Sequence, residues 1–315
     1  MNYSIVVMFH EIHSSVWFNE VLVHLGKRYK FVNANQLYEN IHSTDLCHIT
    51  FDDGHRSFFE NAYPVLYELQ IPATLFVSPK VIEEETNYWF QTVRKLNNND
   101  FHQYVCKKVS HRFSNPITDF SVYSILKSIP INIILELIEN YESENRIEEE
   151  PYMNITKSQL FEVHKSGLIE IGAHTLNHPI LANENKEISE LEIKESINKL
   201  QEILSDKVYF FAYPNGQPDI DFGAREIQIL RETDIKLAFS TEANKLTNHS
   251  SNFSIPRIGL SKGNILYIDQ KIRFAKYWDL LRNVRYRKTE QSERRMLRSL
   301  KNNNDLVQVK YKKVK

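Results

Sequence analysis

Short apolar runs rich in β-branched and aromatic residues punctuate the chain from Ser4 to Leu260: SIVVMF (4–9), CHITF (47–51), ATLFVS (73–78), LIEIGA (168–173), VYFFAY (208–213), KLAFST (236–241) and SIPRIGL (254–260). Longer stretches with helical period lie between them. FFENAYPVLYEL precedes the third run, and EISELEIKESINKLQEIL (187–204) sets Ile193, Ile197, Leu200 and Leu204 at steps of four, three and four, which keeps them on one helical face. Strand-like and helix-like segments in alternation predict an α/β fold, a parallel sheet covered by helices. Seven or eight strands in that rhythm predict a barrel rather than an open sheet.

The rhythm breaks between about Phe90 and Tyr152, where no strand signal occurs and helical stretches are separated by NNND and SNP; this predicts a helical insertion or small subdomain. Charge divides the chain further. Overall it is almost neutral, with 39 Lys and Arg against 40 Asp and Glu, but Ser261–Lys315 holds 16 of the former and 5 of the latter. An acidic body with a basic end predicts a barrel over 1–262 and a basic helical tail over 263–315. In IRFAKYWDLLRNVRYRK (272–288), Phe274, Tyr277, Trp278, Leu281 and Val284 fall at helical spacing among Lys and Arg. Such a stripe either packs on the acidic barrel or lies on an anionic membrane surface. Nucleic acid is not expected as a partner, because the body is acidic and no reading motif accompanies the basic residues.

Cys47 and Cys106 are too few for a disulfide framework and lack a C-x-x-C spacing. No run reaches the roughly 18 apolar residues of a membrane span. The N-terminal MNYSIVVMFHEIH has neither a basic leader nor a small-residue cleavage site, which sets the expectation of a cytoplasmic protein, peripheral to the membrane if the tail binds it.

CHITFDDG ends an apolar run on two adjacent carboxylates, Asp52 and Asp53. Two like charges side by side are tolerable if a cation takes one and the other keeps a separate task. AHTLNHPIL, after LIEIGA, offers the partners: His174 and His178 are four apart and share one side if the chain makes a helical turn there. Working groups in parallel α/β folds collect beyond the carboxyl ends of strands. His10, the aspartates, the two histidines and YPNG (Tyr213, Pro214, Asn215, Gly216) would converge there on one rim. Asp53, His174 and His178 are therefore assigned as a two-histidine, one-carboxylate site for one divalent ion. Such an ion lowers the pKa of its water from about 15.7 towards 7, and Asp52 is assigned as the base that takes the proton. The bland alternative for DDG is a polar strand-to-helix turn with Asp53 or Ser57 as helix cap.

TFDDG (50–54) and HTLNH (174–178), with FENAYPVLYELQIPATLFV, SGLIEIGAHTLNHPIL, FFAYPNG and LRETDIKLAFSTE around them, resemble the polysaccharide deacetylases, the carbohydrate esterases of family four that share the nodulation-factor deacetylase domain. The likeness runs from about residue 3 to 260 with a poor match over 95–150. It implies a distorted (β/α) barrel of seven or eight strands and metal-dependent removal of the N-acetyl group from an acetylated amino sugar. By the same resemblance Asp52 is the base, Asp53, His174 and His178 are the ligands, and the ion is Zn2+, with Co2+ or Ni2+ accepted in its place.

Several positions depart from the family pattern. Where the family has R-x-P-Y this chain has AYPN: Ala212 replaces the Arg that orients the base, and Asn215 replaces the Tyr whose backbone N–H serves the oxyanion, a service Asn215 can supply. Arg257, in IPRIGL, is the candidate replacement for the Arg, with a surface salt bridge as the alternative. The late Leu-His motif is also missing. His10, which ends VVMFH, resembles instead the N-terminal YH of the poly-N-acetylglucosamine deacetylase branch, whose His is the general acid; the alternative is a buried, hydrogen-bonded histidine. Trp89, in NYWF, stands where that branch carries an aromatic near the site, either stacking on a sugar ring or packing in the core.

The expected activity is N-deacetylation of an N-acetylated saccharide in surface-glycan biosynthesis. Two other readings stay open. One is a deacylase of a different amide, a formamide or cyclic imide, on the same site. The other is a glycan-binding pseudoenzyme, motivated by the lost Arg and opposed by the intact Asp52, Asp53, His174 and His178. A P-loop, a Rossmann glycine fingerprint and a serine nucleophile elbow are absent from the sequence, which sets those chemistries aside.

Overall fold

A computed structural model of the chain describes residues 3–277 and 289–302. Eight strands build one sheet: β1 (Ile5–Phe9), β2 (Lys30–Phe31), β3 (Leu46–Phe51), β4 (Ala73–Val77), β5 (Ile169–Ala173), β6 (Phe210–Ala212), β7 (Leu237–Phe239) and β8 (Ile258–Gly259). Their order is β7-β6-β5-β4-β3-β1-β8, with β2 against β3. All the pairings are parallel, with Ile5 opposite Cys47 and Phe9 opposite Phe51 in β1 and β3, and Ala73 opposite Ile169 in β4 and β5. The segment entering β8 bonds back to β7: the Ser240 amide donates to the Ile255 carbonyl and the Ile255 amide to that of Ala238, each at 2.8 Å. With β8 itself beside β1, the sheet curls round on itself as the distorted (β/α) barrel that was expected.

Most strand residues are buried on both faces, largely apolar but with His48, Thr50 and Thr74 among them. Ile5, Val7 and Phe9 belong to the core shared with the surrounding helices, whereas the intervening Val6 packs with Phe76, Phe210, Leu237 and Phe239. The helix Ser15–Gly26 starts where the Ser14 side chain accepts the Trp17 N–H at 3.2 Å. It sets Phe18 edge-on to Phe9 and Phe51, with ring centroids 5.3 and 5.7 Å apart. Strand β2 escapes the sequence pattern because it has two residues only. It pairs with Leu46 and Cys47, below the point at Ile49 where β4 takes over the same edge of β3.

The stretch after Tyr88 is helical: Trp89–Leu96, Asn99–Val109, Val122–Leu126 and Ile131–Asn145 pack around a core of their own that includes Phe101, Ile125 and Ile134. The described parts of the basic tail join both cores. Helix Ile265–Arg273 buries Ile268 and Ile272 against the barrel, and helix Glu290–Ser299 buries Leu297 among the inserted helices. Arg294 also pairs with the buried Asp221 in the loop beyond β6. Phe274 and Tyr277 are exposed. Trp278, Leu281 and Val284, with the basic residues among them, lie outside the described residues, so the stripe expected over 272–288 is seen only at its start. Among the described residues no helix is long and apolar enough to cross a membrane.

Candidate active site

At the carboxyl end of β3 the backbone turns through two successive left-handed residues, Asp53 at φ 70° and Gly54 at φ 65°. A side chain on Gly54 would meet Val77 Cγ1 at 2.8 Å, so only glycine fits there. Beyond β5 the chain does not make the helical turn expected for HTLNH. Thr175 (φ 62°) and His178 (φ 56°) are left-handed instead, and this tight loop brings the two imidazoles together, edge to face, with centroids 4.9 Å apart. Left-handed backbone at non-glycine residues is strained and persists where the surroundings over-determine it.

Here the surroundings are explicit. Glu192, buried on the helix Lys186–Leu204, accepts the Leu176 and Asn177 N–H groups at 2.9 Å on one carboxylate oxygen and the Asn177 amide at 2.6 Å on the other. The Ser78 hydroxyl donates to the His174 carbonyl at 2.9 Å, and the Trp89 indole donates to that of His178 at 3.0 Å. Glu192→Leu would strand two backbone donors. It is expected to weaken divalent-metal binding by about 10- to 100-fold, the range typical of lost support behind metal ligands, while Glu192→Gln, which retains an acceptor, loses less. Metal titration of the two variants checks this; equal, wild-type affinity in both would mean that the loop holds its shape without the carboxylate.

Asp53 Oδ1 lies 3.5 Å from His174 Nε2 and 3.4 Å from His178 Nε2. The three residues are the potential metal-holding cluster found among the described residues, with ligand atoms all within 4.8 Å of one another. Ligands bound at about 2.0–2.2 Å around one ion with tetrahedral to octahedral angles stand about 2.8–3.6 Å apart, a range that both Asp53–histidine separations meet, and two imidazoles with a carboxylate suit an ion such as zinc. The decisive observation is that Asp53 Oδ1 is buried without a hydrogen-bond partner, an orphaned acceptor that a cation would satisfy. His174 Nδ1 lies 2.7 Å from the Ala212 carbonyl, which fixes the proton on that nitrogen and leaves Nε2 as the ligand atom.

Burial pushes His178 down to about 3, which keeps its ring neutral. Burial opposes charge on Asp53 too, yet His174, His178 and His10 outweigh it and hold the carboxyl below its usual range. His174 is raised: burial disfavours its charge, but the carboxylates of Asp53 and Asp52 more than compensate. A bound ion must displace any proton on His174 Nε2, so metal affinity falls as pH falls.

Asp52 has a different set of neighbours. Arg257, fully buried at the entry to β8, clamps it through both carboxylate oxygens, Nη1 to Oδ1 at 2.6 Å and Nη2 to Oδ2 at 2.8 Å. Arg257 Nε donates to the Ser240 carbonyl at 2.8 Å, and Nη1 is 3.3 Å from the Thr50 hydroxyl. The salt bridge is thus internal, not on the surface. Burial would raise the Asp52 pKa, but Arg257 reverses the sign and holds it below the usual carboxylate range. His10 is half-exposed on the same rim rather than buried, its Nε2 4.0 Å from Asp52 Oδ2 and 3.9 Å from Asp53 Oδ2.

His10, Asp52, Asp53, His174 and His178 line a cleft of about 500 Å³ that also takes in Asn215, with Arg257 buried behind Asp52. Asn215 is left-handed at φ 56°, and its side-chain amide nitrogen is buried without a partner. Three other candidates stand back from it. Trp89 is 3% exposed and occupied with the His178 carbonyl, so it supports the metal loop and does not stack on a ligand. Its neighbour Phe90 lines the cleft instead, 4.8 Å from the His178 ring. Tyr213 is buried, stacked on Phe222, with its hydroxyl on the Phe253 carbonyl, and Pro214 lies beneath the surface. Sequence reasoning missed the opposite wall, made by Phe90, Arg94, Tyr123 and Lys127 of the inserted helices and Glu290 of the tail. It missed Glu192 as well, although a carboxylate beside Ile193, on the face that carries Ile197, Leu200 and Leu204, was a usable signal.

Residues 40–238 match the family described as "Polysaccharide deacetylase". The poly-beta-1,6-N-acetyl-D-glucosamine N-deacetylase of Staphylococcus aureus (strain MRSA252) is 25% identical over 221 residues, 68% of this chain and 53% of that protein. The chain therefore spans about half the length of the curated relatives it matches. Among solved structures, IcaB from Ammonifex degensii superposes with a TM-score of 0.59 at 18% identity, covering 88% of this chain and 98% of that one. The Streptococcus pyogenes deacetylase PplD, in complex with acetate, gives 0.55 at 18%, covering 82% and 92%. At such identities the superpositions speak for the fold.

Proposed function

This chain belongs to the polysaccharide deacetylase family, and from that premise we propose that it removes the N-acetyl group from an acetylated amino sugar of a surface glycan. The observation that carries the reading is the separation of duties between adjacent carboxylates: Asp53 sits with two histidines around an unsatisfied oxygen, while Asp52 is held apart by Arg257. Asp53, His174 and His178 would hold one divalent ion, with zinc the first choice for two imidazoles and a carboxylate and Co2+ or Ni2+ suited to the same donors. When bound, that ion polarises the amide carbonyl and acidifies water.

Asp52 takes a proton from the attacking water, and Arg257 keeps it ionised and fixed in direction. The amide carbon gains oxygen and loses nitrogen, and His10, open to the cleft, delivers the proton that the departing amine needs. Asn215 offers donors to the carbonyl oxygen as negative charge develops there. The products are acetate and a free amino sugar.

The named substrate of the staphylococcal relatives makes oligomers of β-1,6-linked N-acetylglucosamine the first compounds to try. Acetate released in equal amount with new amine, abolished by a chelator and restored by Zn2+, is the expected result. Turnover of formamides or cyclic imides, but of no N-acetylated saccharide, would replace this reading with the other amide hydrolysis. Binding of saccharide with no turnover of any amide would leave a glycan-binding protein.

A further inference from the structure

We propose that a basic groove continuing from the cleft is a subsite for an anionic substituent, phosphate or carboxylate, on the saccharide whose N-acetyl group enters the metal site; this rests on the deacetylase reading above. The groove encloses about 360 Å³ and is lined by Lys127, Arg294, Arg295, Arg298 and Lys301 against two acids, Asp219 and Glu242. It adjoins the cleft. Lys127 lines both, Asn215 gives way to Gln217, Thr241 to Glu242, and Glu290 to Arg294 one helical turn on.

The cations differ in how they are occupied. Lys127 is paired with Glu290 at 2.9 Å and Arg294 with Asp221. Arg298 gives one nitrogen to the Asp219 carbonyl, a neutral oxygen, at 2.7 Å. Arg295 is exposed, and neither Arg295 nor Arg298 forms a salt bridge among the described residues. In addition, Arg294, 5% exposed, keeps a buried Nε without a hydrogen-bond partner. Planar guanidinium forks in a concave wall match phosphate and carboxylate geometry, and two guanidiniums that no carboxylate among the described residues pairs with raise the positive potential there. Four of the five cations lie beyond residue 238, outside the stretch that matches the family. The groove sets which saccharide is taken.

The test uses the full chain with its metal and the exposed-site variant Arg295→Ala/Arg298→Ala. Matched N-acetylated oligosaccharides, neutral, phosphate-bearing and uronate-bearing, are compared for kcat and KM, and inorganic phosphate and glucuronate are titrated by calorimetry. Wild type is expected to favour one anionic substrate by about 10-fold or more in kcat/KM, through KM, and the variant to lose that preference while its kcat/KM on the neutral substrate stays unchanged. Which anion is preferred separates phosphate from carboxylate. Arg298→Glu should turn the preference into discrimination against the anion. If no saccharide is deacetylated, the deacetylase reading fails and the titrations still decide the groove: anion affinity lowered at least 10-fold in the double variant upholds it. Equal affinity in wild type and variant, no affinity for either anion, or equal kcat/KM for neutral and anionic substrates overturns it.

Discussion

Asp52→Asn is expected to keep a full complement of divalent ion and to lose turnover by about 100-fold or more, the scale of a missing general base. Asparagine nearly preserves the shape of the side chain and can still accept from Arg257, but it cannot take a proton. The ion should be indifferent to the change, because the atoms that converge on it belong to Asp53, His174 and His178. His178→Ala is the complementary case: one of three protein ligands goes, and both the ion and the turnover go with it. Metal per chain and kcat, measured side by side, separate the two. Wild-type turnover in Asp52→Asn would move the base elsewhere, and full metal content in His178→Ala would dissolve the proposed site.

Arg257→Ala should damage both stability and catalysis. Asp52 is 2% exposed and its partner fully buried, so removing the guanidinium leaves a buried carboxylate uncompensated, which costs about 3–5 kcal/mol. In the wild type, burial works to raise the Asp52 pKa and Arg257 overcomes it, giving a depressed value. A depressed carboxyl contributes stability that is present above its unfolded pKa and lost as pH falls through the folded one. Without Arg257 the burial effect is less opposed. The Asp52 pKa then rises, and the acidic limb of the kcat/KM profile moves to higher pH by about one unit or more. Arg257→Lys retains the charge without the two-pronged geometry and should recover part of the stability and less of the rate. Denaturant unfolding together with the pH profile reads both effects; an acidic limb that stays in place in Arg257→Ala would show that the base is held by something else.

Local pattern carried much of this protein. Seven of the eight strands were legible because parallel strands buried on both faces are continuous apolar runs, and the helix Lys186–Leu204 because its stripe repeats every three or four residues. The trio Asp53, His174 and His178 was legible for a related reason: each motif sits immediately after a strand, and β3 and β5 end at the same mouth, with β4 between them. The loop form was not. A spacing of four suggested a helical turn, but Glu192, Ser78 and Trp89 outweigh local preference and hold Thr175 and His178 in left-handed backbone.

What only the tertiary structure decided are the pairings between distant positions. Arg257 lies 205 residues from Asp52, and their pairing depends on β8 closing beside β1. A charged residue in an apolar run announces that it needs a partner, not which one. Trp89 and Phe90 are adjacent and both aromatic, yet one is spent on a backbone carbonyl and the other faces the cleft, a difference set by the rotation of a single helix against the barrel. The basic tail read as a separate appendage because net charge is counted along the chain. In space, Leu297 and Arg294 dock its last described helix across the insertion and the barrel, so that cations far from the motifs in sequence line the continuation of the cleft. Motifs record which groups a reaction needs, since those groups act from fixed places on strands. The walls around them come from long-range burial and charge pairing, which no window along the sequence contains.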